Sequence, residues 1–185
     1  MNDDEVRLSG AAMLNNIEAF TELVGLESVR GGLRRLDAER RAEYDALVPV
    51  AWIRASTADA IYAAIAEQAG RDLFEIYPEV VRRGTNASLR KALRWLMALS
   101  SDAALVRHAP QAYAKSHEGG TLTSTLVGPG HALLQLSRWP DASELRLLGI
   151  GCAMATVLEV AGRKDVAVTR ARTDDGAQFT VRWQV

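Results

Sequence analysis

The sequence predicts a single α+β domain, in which an N-terminal helical region packs on a small antiparallel sheet built in the order hairpin, helix, hairpin. Apolar residues recur every three or four positions through residues 1–118, as one buried helix face requires. At Gly119-Gly120 the period changes to that of a strand, and residues 119–185 contain two alternating hairpin patterns around one apolar helix. Three changes of period therefore define the fold class.

Helical spacing is clear near the N-terminus, where Leu14, Ile17, Phe20 and Val24 share one face and Gly25 ends the helix. Further helix starts are predicted at polar residues that can accept a hydrogen bond from a first-turn amide. These predicted caps are Asp37, Ser56, either Ser101 or Asp102, and Ser143.

Two prolines and one extended stretch interrupt the helical pattern. Pro78 either kinks its helix or starts a new one, and Pro110 marks a break near Tyr113. The stretch VPVAWI (48–53) is typical of an extended connector whose Trp52 packs onto the body of the domain.

Both hairpins show strand alternation on either side of a turn. In the first, TLTSTLV and HALLQLSRW flank the glycine turn GPG. In the last, Phe179, Val181 and Trp183 alternate after the turn at Asp175-Gly176. We expect the terminal hairpin to be a structural clasp, because its apolar face is buried and its turn determines the register.

Composition excludes several classes of function. The 185 residues are 48% apolar and 24% charged, with a net charge of -1, which favours one globular domain and disfavours nucleic acid as a main partner. An acidic N-terminus and a single cysteine, Cys152, favour a cytoplasmic location. The apolar stretch Leu147–Val160 is too short to cross a bilayer, so we expect no membrane insertion.

No residue pattern indicates catalysis, a metal or a cofactor. His108, His117 and His131 lie in separate elements without metal-ligand spacing, and His117 is expected at the surface. Cys152 lies in an apolar helix, where a thiol is usually inert and its pKa is raised. There is no phosphate-binding glycine loop, and we find no acid–base pair of carboxylates.

Two sets of residues are candidates for binding. A basic cluster could meet a protein partner or an anionic ligand; it comprises Arg82, Arg83, Arg90, Lys91 and Arg94. If the fold has a pocket between helices and sheet, large apolar side chains are predicted to line it, although such residues are more often ordinary core; they are Trp52, Tyr77, Trp95, Met97, Tyr113 and Met154. A stripe of small residues at Gly149, Ala153 and Thr156 permits close packing, either within the fold or across a symmetric dimer.

Several motifs carry a family resemblance over almost the whole chain. They are GLESVRGGLRRLD from Gly25, LVPVAWI from Leu47, LVRHAPQAYAK from Leu105, GPGHALLQL, and the terminal VTRARTDDGAQFTVRW. With these motifs the chain resembles a family of uncharacterised myxobacterial proteins of similar length, a domain of unknown function. That resemblance implies no activity.

More distantly, the order of elements resembles the fold shared by 4-vinyl-reductase domains, haem-NO-binding sensor domains and TRAPP trafficking subunits. This resemblance implies a small-molecule sensor or a dimeric interaction module. In 4-vinyl-reductase domains, cysteines commonly flank the turn glycine of the last hairpin. Here Gly176 is kept, but Arg172 precedes it and Phe179 or Thr180 follows it. A haem sensor would need a proximal histidine and a tyrosine, serine and arginine for the propionates, and the sequence places neither.

We therefore expect a non-enzymatic regulatory module that binds an apolar or weakly anionic small molecule, a protein partner, or both, and that forms a homodimer. The first alternative is a protein–protein scaffold with a filled core and no ligand. The second is an enzyme without a recognisable motif. An interior cavity would separate the sensor from the scaffold.

Overall fold

The computed structural model describes residues 5–91 and 101–184, and the side chains of Arg90 and Lys91 are not among its described parts. Arg94, Trp95 and Met97 lie outside the described residues. Within them, helices and antiparallel strands form the α+β architecture that the sequence predicts.

The helices come mostly before the strands. The described helices are α1 (Gly10–Val24), α2 (Leu26–Arg34), α3 (Ala38–Asp45), α4 (Ala55–Gln68), α5 (Leu73–Lys91), α6 (Asp102–Ser116) and α7 (Glu144–Val160). The described strands are β1 (Arg7–Ser9), β2 (Trp52–Arg54), β3 (His117–Glu118), β4 (Thr121–Gly128), β5 (His131–Ser137), β6 (Lys164–Thr173) and β7 (Gly176–Gln184).

The main sheet has four antiparallel strands in the order β4-β5-β7-β6. Leu134 pairs with Phe179 and Ala132 with Val181, so the two predicted hairpins join through their inner strands. All four of these side chains are buried. This confirms the predicted alternation, and it places the terminal hairpin in the body of the sheet.

A second sheet, in the order β2-β1-β3, was not predicted. Leu8 of β1 pairs with Ile53 of β2 on one side and with His117 of β3 on the other. Strands of two or three residues are too short to show a period in the sequence. The predicted connector around Trp52 is therefore partly a strand, and the start of the chain is bound to the end of α6.

Three predicted caps are confirmed, and one is wrong. Side-chain oxygens of Asp37, Ser101 and Ser143 accept first-turn amide hydrogen bonds at α3, α6 and α7. Helix α4 begins one residue before Ser56, which instead donates its hydroxyl hydrogen bond to Glu5. The preceding strand β2 determines where α4 begins, because the amide of Ala55 bonds to the carbonyl of Val6.

Neither proline ends a helix. Pro78 lies inside α5 and Pro110 inside α6, so the predicted break near Tyr113 is wrong. Both helices bury residues around the proline, including Tyr77 at 2% exposure and Tyr113 at 7%. Packing of such side chains offsets the local cost of about 3 kcal/mol for an interior proline.

Candidate functional site

A cavity of about 300 Å³, partly open to solvent, lies between the helices and the inner face of the main sheet. Its wall is mostly apolar, and the sheet contributes Leu122, Ala132, Leu134, Val181 and Trp183. Helix α7 contributes Arg146, Gly149, Ile150, Ala153, Met154, Val157 and Leu158, and α1, α5 and α6 supply most of the remaining wall. A second, more open groove lies between α6 and β4. The cavity between helices and sheet is the better candidate for a ligand site, because both parts of the domain enclose it.

One buried cation, Arg146, lies in the cavity wall. It stands in the first turn of α7, where its amide donates to the capping hydroxyl of Ser143 at 3.1 Å. Its side chain is 3% exposed, and Nε donates to Oδ1 of Asp59. The hydroxyl of Ser143 donates to the other oxygen of Asp59, Oδ2, at 2.6 Å.

The second terminal nitrogen of Arg146, Nη2, is buried and has no hydrogen-bond partner among the described residues. Buried donors are nearly always paired, and an unpaired one is costly. This nitrogen is therefore the polar group of the wall best placed to receive an acceptor from a bound molecule.

Two tyrosine rings lie against the guanidinium group of Arg146. The guanidinium carbon is 5.2 Å from the ring centre of Tyr62 and 5.8 Å from that of Tyr77. The Tyr62 hydroxyl accepts a hydrogen bond from Asn16 at 2.9 Å. Burial raises the pKa of both tyrosines. Burial disfavours the charge of Arg146, yet Tyr77, Asp59 and Tyr62 raise its pKa above the ordinary value, so it stays a cation.

His117, at the end of α6, also reaches the cavity wall. Its ring stacks on Tyr113, with 4.4 Å between ring centres and 5° between planes, and its Nδ1 lies 2.9 Å from the hydroxyl of Ser116. Burial, with a further contribution from Arg146, lowers the pKa of His117 to about 3. The expectation of a surface histidine is therefore wrong, because the β3 pairing with β1 carries the ring inward.

The structure places three of the predicted pocket residues on the cavity wall: Tyr77, Tyr113 and Met154. Trp52 lies on β2 in the small sheet and is not among the described wall residues. Trp95 and Met97 fall outside the described part of the chain. Ligand binding by the residues on the wall remains a prediction.

The predicted basic cluster is already partly paired. Arg82 and Arg83 both bond to Glu79, at 2.6 and 2.7 Å, and Arg83 also reaches Glu22 on α1 at 2.9 Å. The hydrogen bonds from Arg82 and Arg83 lower the pKa of Glu79 to about 2. Two of its five cations therefore stabilise helices, and the role of the cluster as a binding surface remains a prediction.

Sequence reasoning missed Arg146, although the sequence contained a signal. It is the one charged residue between Leu145 and Leu158, in a helix predicted to be buried. A charge in such a helix needs a partner or a ligand. Its partner Asp59 lies 87 positions earlier, and no local sequence pattern links the two residues.

The described residues of the terminal hairpin contain no cluster of metal-ligating side chains. No group of three or more histidine, cysteine, aspartate or glutamate side chains is arranged to bind a metal ion within residues 5–91 and 101–184. Arg172 donates to Glu144 at 2.7 Å and to the carbonyl oxygen of Ala142 at 2.5 Å. It therefore joins β6 to the start of α7, as a structural clasp would.

No family model matches the chain, and no curated protein matches it. Solved structures do. A single-residue variant of a domain described as Tt H-NOX aligns with a TM-score of 0.69 at 15% identity, covering 96% of both chains. An unliganded Fe(II) H-NOX protein from K. algicida gives a TM-score of 0.72 at 10% identity, covering 96% of this chain and 97% of that one. An oxygen-binding H-NOX domain related to soluble guanylate cyclases gives 0.64 at 16%, covering 96% and 94%.

These TM-scores show that the chain shares the fold of the haem-NO-binding domains, and this confirms that part of the distant resemblance seen in the sequence. Among the described residues, no helix combines the length and hydropathy needed to span a bilayer.

The described wall does not fit haem. Haem needs an axial ligand and partners for its two propionates. His108 and His117 both reach the wall, so the mismatch concerns the propionates and the volume. The wall offers a single buried side-chain nitrogen without a partner, which is too few for two propionates. A volume of about 300 Å³ is also at the lower limit for drug-sized ligands.

Proposed function

We propose that this chain is a non-enzymatic regulatory module that senses a small apolar molecule enclosed between its helices and its sheet. The cavity of about 300 Å³ is the observation that carries the proposal. It has the size and the mostly apolar wall of a ligand site, and a scaffold with a filled core would lack it. The solved structures that share the fold include one described as an oxygen-binding domain, which supports a sensor more than a scaffold.

The cavity is well placed to transmit binding to the rest of the domain. Its wall combines residues of α5 and α6 with residues of β5 and β7, which are distant in sequence. A molecule that fills it makes contacts with both parts at once, so it stabilises the arrangement in which they are closed together. A protein partner or a second copy of the chain would then bind this closed arrangement.

Several narrower expectations belong to the same proposal. We propose that the protein acts as a homodimer in the cytoplasm and belongs to the uncharacterised myxobacterial family that its motifs resemble. The basic cluster around Arg82 is the surface we propose for a protein partner. Native mass spectrometry of protein purified from its own host tests subunit number and retained ligand together.

Filling the cavity tests the proposed function. Ala153 of α7 faces the cavity, whereas Ala155, two residues later, is partly buried away from it. We expect Ala153→Phe to weaken binding of an apolar probe, 1-decanol, at least tenfold, an order-of-magnitude expectation for a blocked site. Ala155→Phe should bind as the wild type does. Isothermal titration calorimetry measures both.

Equal binding by the wild type and Ala153→Phe would show that the probe does not enter the cavity, and no binding to the wild type would overturn the apolar-ligand proposal. Haem retained by the purified protein, seen in its visible absorption spectrum, would identify a different occupant and contradict the proposal.

A further inference from the structure

We infer that the ligand is an apolar monocarboxylic acid whose carboxylate binds Nη2 of Arg146 while its apolar body fills the cavity. This inference rests on the proposed function and deepens it by naming the chemical class of the ligand.

The first argument is the unpaired nitrogen. Arg146 is 3% exposed, it lines the cavity, and its Nη2 has no partner among the described residues. An ionised donor removed from water without an acceptor is among the most unfavourable groups a folded protein can hold. A ligand oxygen on Nη2 removes that penalty.

The second argument is that nearby protein oxygens are already engaged. Of the two oxygens of Asp59, one accepts from Nε of Arg146 and the other accepts from the hydroxyl of Ser143. The hydroxyl of Tyr62 accepts from Asn16. None of these oxygens bonds to Nη2 in the described part of the chain, and a molecule in the cavity can supply the missing acceptor.

The third argument concerns charge. Asp59 is 23% exposed, whereas Arg146 is 3% exposed, so water screens the carboxylate more than the guanidinium. The guanidinium is thus the less screened of the two charges at this end of the cavity. An ionised carboxylate makes a shorter and stronger hydrogen bond to a guanidinium group than a neutral oxygen does.

The fourth argument sets the number of acidic groups at one. Beyond Arg146 the described wall is made largely of apolar side chains, among them Leu134, Ile150, Met154 and Val181. Of the two histidines on the described wall, His117 is held in its neutral form, and His108 already hydrogen-bonds through Nδ1 to Gln111. A second acidic group would be buried without a partner, which is strongly unfavourable.

The head group of the probe tests the inference in the wild-type protein. Decanoate, 1-decanol and methyl decanoate share one chain and differ only at the head. Titrated below their micelle concentrations near neutral pH, decanoate should bind about tenfold or more tightly than the other two, the usual effect of a hydrogen bond to a charged group.

Two variants assign the preference to Arg146. In Arg146→Met combined with Asp59→Asn, both charges are removed together, so no buried charge is left alone. This double variant should lose the preference for decanoate over 1-decanol and methyl decanoate. Asp59→Asn alone removes the competing negative charge and should raise the affinity for decanoate relative to that for 1-decanol by a few-fold. Arg34→Met, an exposed arginine on α2, is the matched control and should change nothing.

The outcomes separate this inference from the proposed function. Equal affinity for decanoate and 1-decanol in the wild type overturns the inference and leaves the sensor proposal standing. A decanoate preference that persists in the double variant also overturns it. Binding of none of the three probes overturns both. If circular dichroism shows the double variant to be unfolded, the wild-type series still decides.

Discussion

Asp102 is a largely buried carboxylate whose charge is balanced by several hydrogen bonds. The carboxylate accepts from Nε and Nη2 of Arg163 at 2.8 and 2.6 Å, and from the indole nitrogen of Trp183 at 3.1 Å. The side chains of Asp102 and Arg163 are 13% and 14% exposed. One aspartate therefore joins the start of α6, the segment after α7 and the end of β7.

Removing Asp102 should be strongly destabilising. Asp102→Ala leaves Arg163 without this carboxylate in a largely buried position, and we expect the free energy of unfolding to fall by about 3 kcal/mol. Asp141→Ala, at an exposed position, should change it by less than about 0.5 kcal/mol. Urea unfolding measures both. Equal stabilities of the two variants would show that the buried pair contributes nothing net.

His117 should give the protein a specific sensitivity to acid. Its pKa is lowered to about 3 from an ordinary 6.5, so the unfolded chain binds a proton that the folded chain does not. The stabilising effect of a neutral His117 is complete above pH 6.5 and is lost as the pH falls towards 3. Between pH 6.5 and pH 3, the free energy of unfolding should fall by roughly 2 kcal/mol less in His117→Gln than in the wild type. This value allows for the partial exposure of the ring.

Tyr113→Phe is the control for that prediction. It keeps an aromatic ring against His117 and removes only the hydroxyl that donates to the carbonyl of Gly119 at 3.2 Å. It should lower stability by a similar amount at every pH. The free energy of unfolding is measured by urea at a series of pH values. If it depends on pH in the same way in the wild type and in His117→Gln, the buried neutral imidazole is contradicted.

At the scale of elements, the contact between α5 and α7 depends on one glycine. A Cβ added at Gly149 would lie 2.9 Å from the hydroxyl oxygen of Tyr77 and 3.0 Å from a ring carbon. The same addition at Gly151 would lie 3.4 Å from Val168, an ordinary contact. The stripe of small residues that begins at Gly149 thus allows close packing within the chain, one of the two roles that the sequence left open.

These two glycines form a matched pair of tests. Replacing a helix glycine by alanine gains up to about 1 kcal/mol of helix propensity. Gly151→Ala should show that gain, whereas Gly149→Ala displaces a buried tyrosine and should cost about 1 to 2 kcal/mol net. Thermal unfolding measures the pair. Two equal melting temperatures would mean that α5 and α7 do not pack closely at Gly149.

The clasp formed by the terminal hairpin also acts at this scale. The β6 residue Arg172 reaches Glu144 and the carbonyl of Ala142, so the strand is attached to the start of α7. The same start of α7 carries Arg146, whose position the cavity depends on. The hairpin thus supports the candidate site without contributing a metal ligand to it in the described region.

At the scale of the whole molecule, we predict that residues 1–118 and 119–185 unfold together. The cavity wall and the Asp59–Arg146 pair both connect the two parts, over 87 positions in the case of the pair. Far-ultraviolet circular dichroism and intrinsic tryptophan fluorescence should therefore report the same midpoint in urea. Two separated midpoints would instead indicate two independent domains.

The sequence by itself determined the α+β class, the order of helices and hairpins, and three of the four predicted caps. These depend on local features: periodicity, a polar residue before a helix, and glycine at a turn. It also indicated Tyr77, Tyr113 and Met154 as candidate wall residues, because large apolar side chains are buried wherever the wall lies.

Only the tertiary structure decided where the cavity lies, that Pro78 and Pro110 stay inside helices, and that His117 turns inward. It also decided that Arg146 keeps one nitrogen unpaired within the described part of the chain, although its partner Asp59 lies 87 positions away. Burial and pairing depend on contacts between residues far apart in the chain. A local pattern carries no record of them, so the candidate site became visible only once helices and sheet had packed.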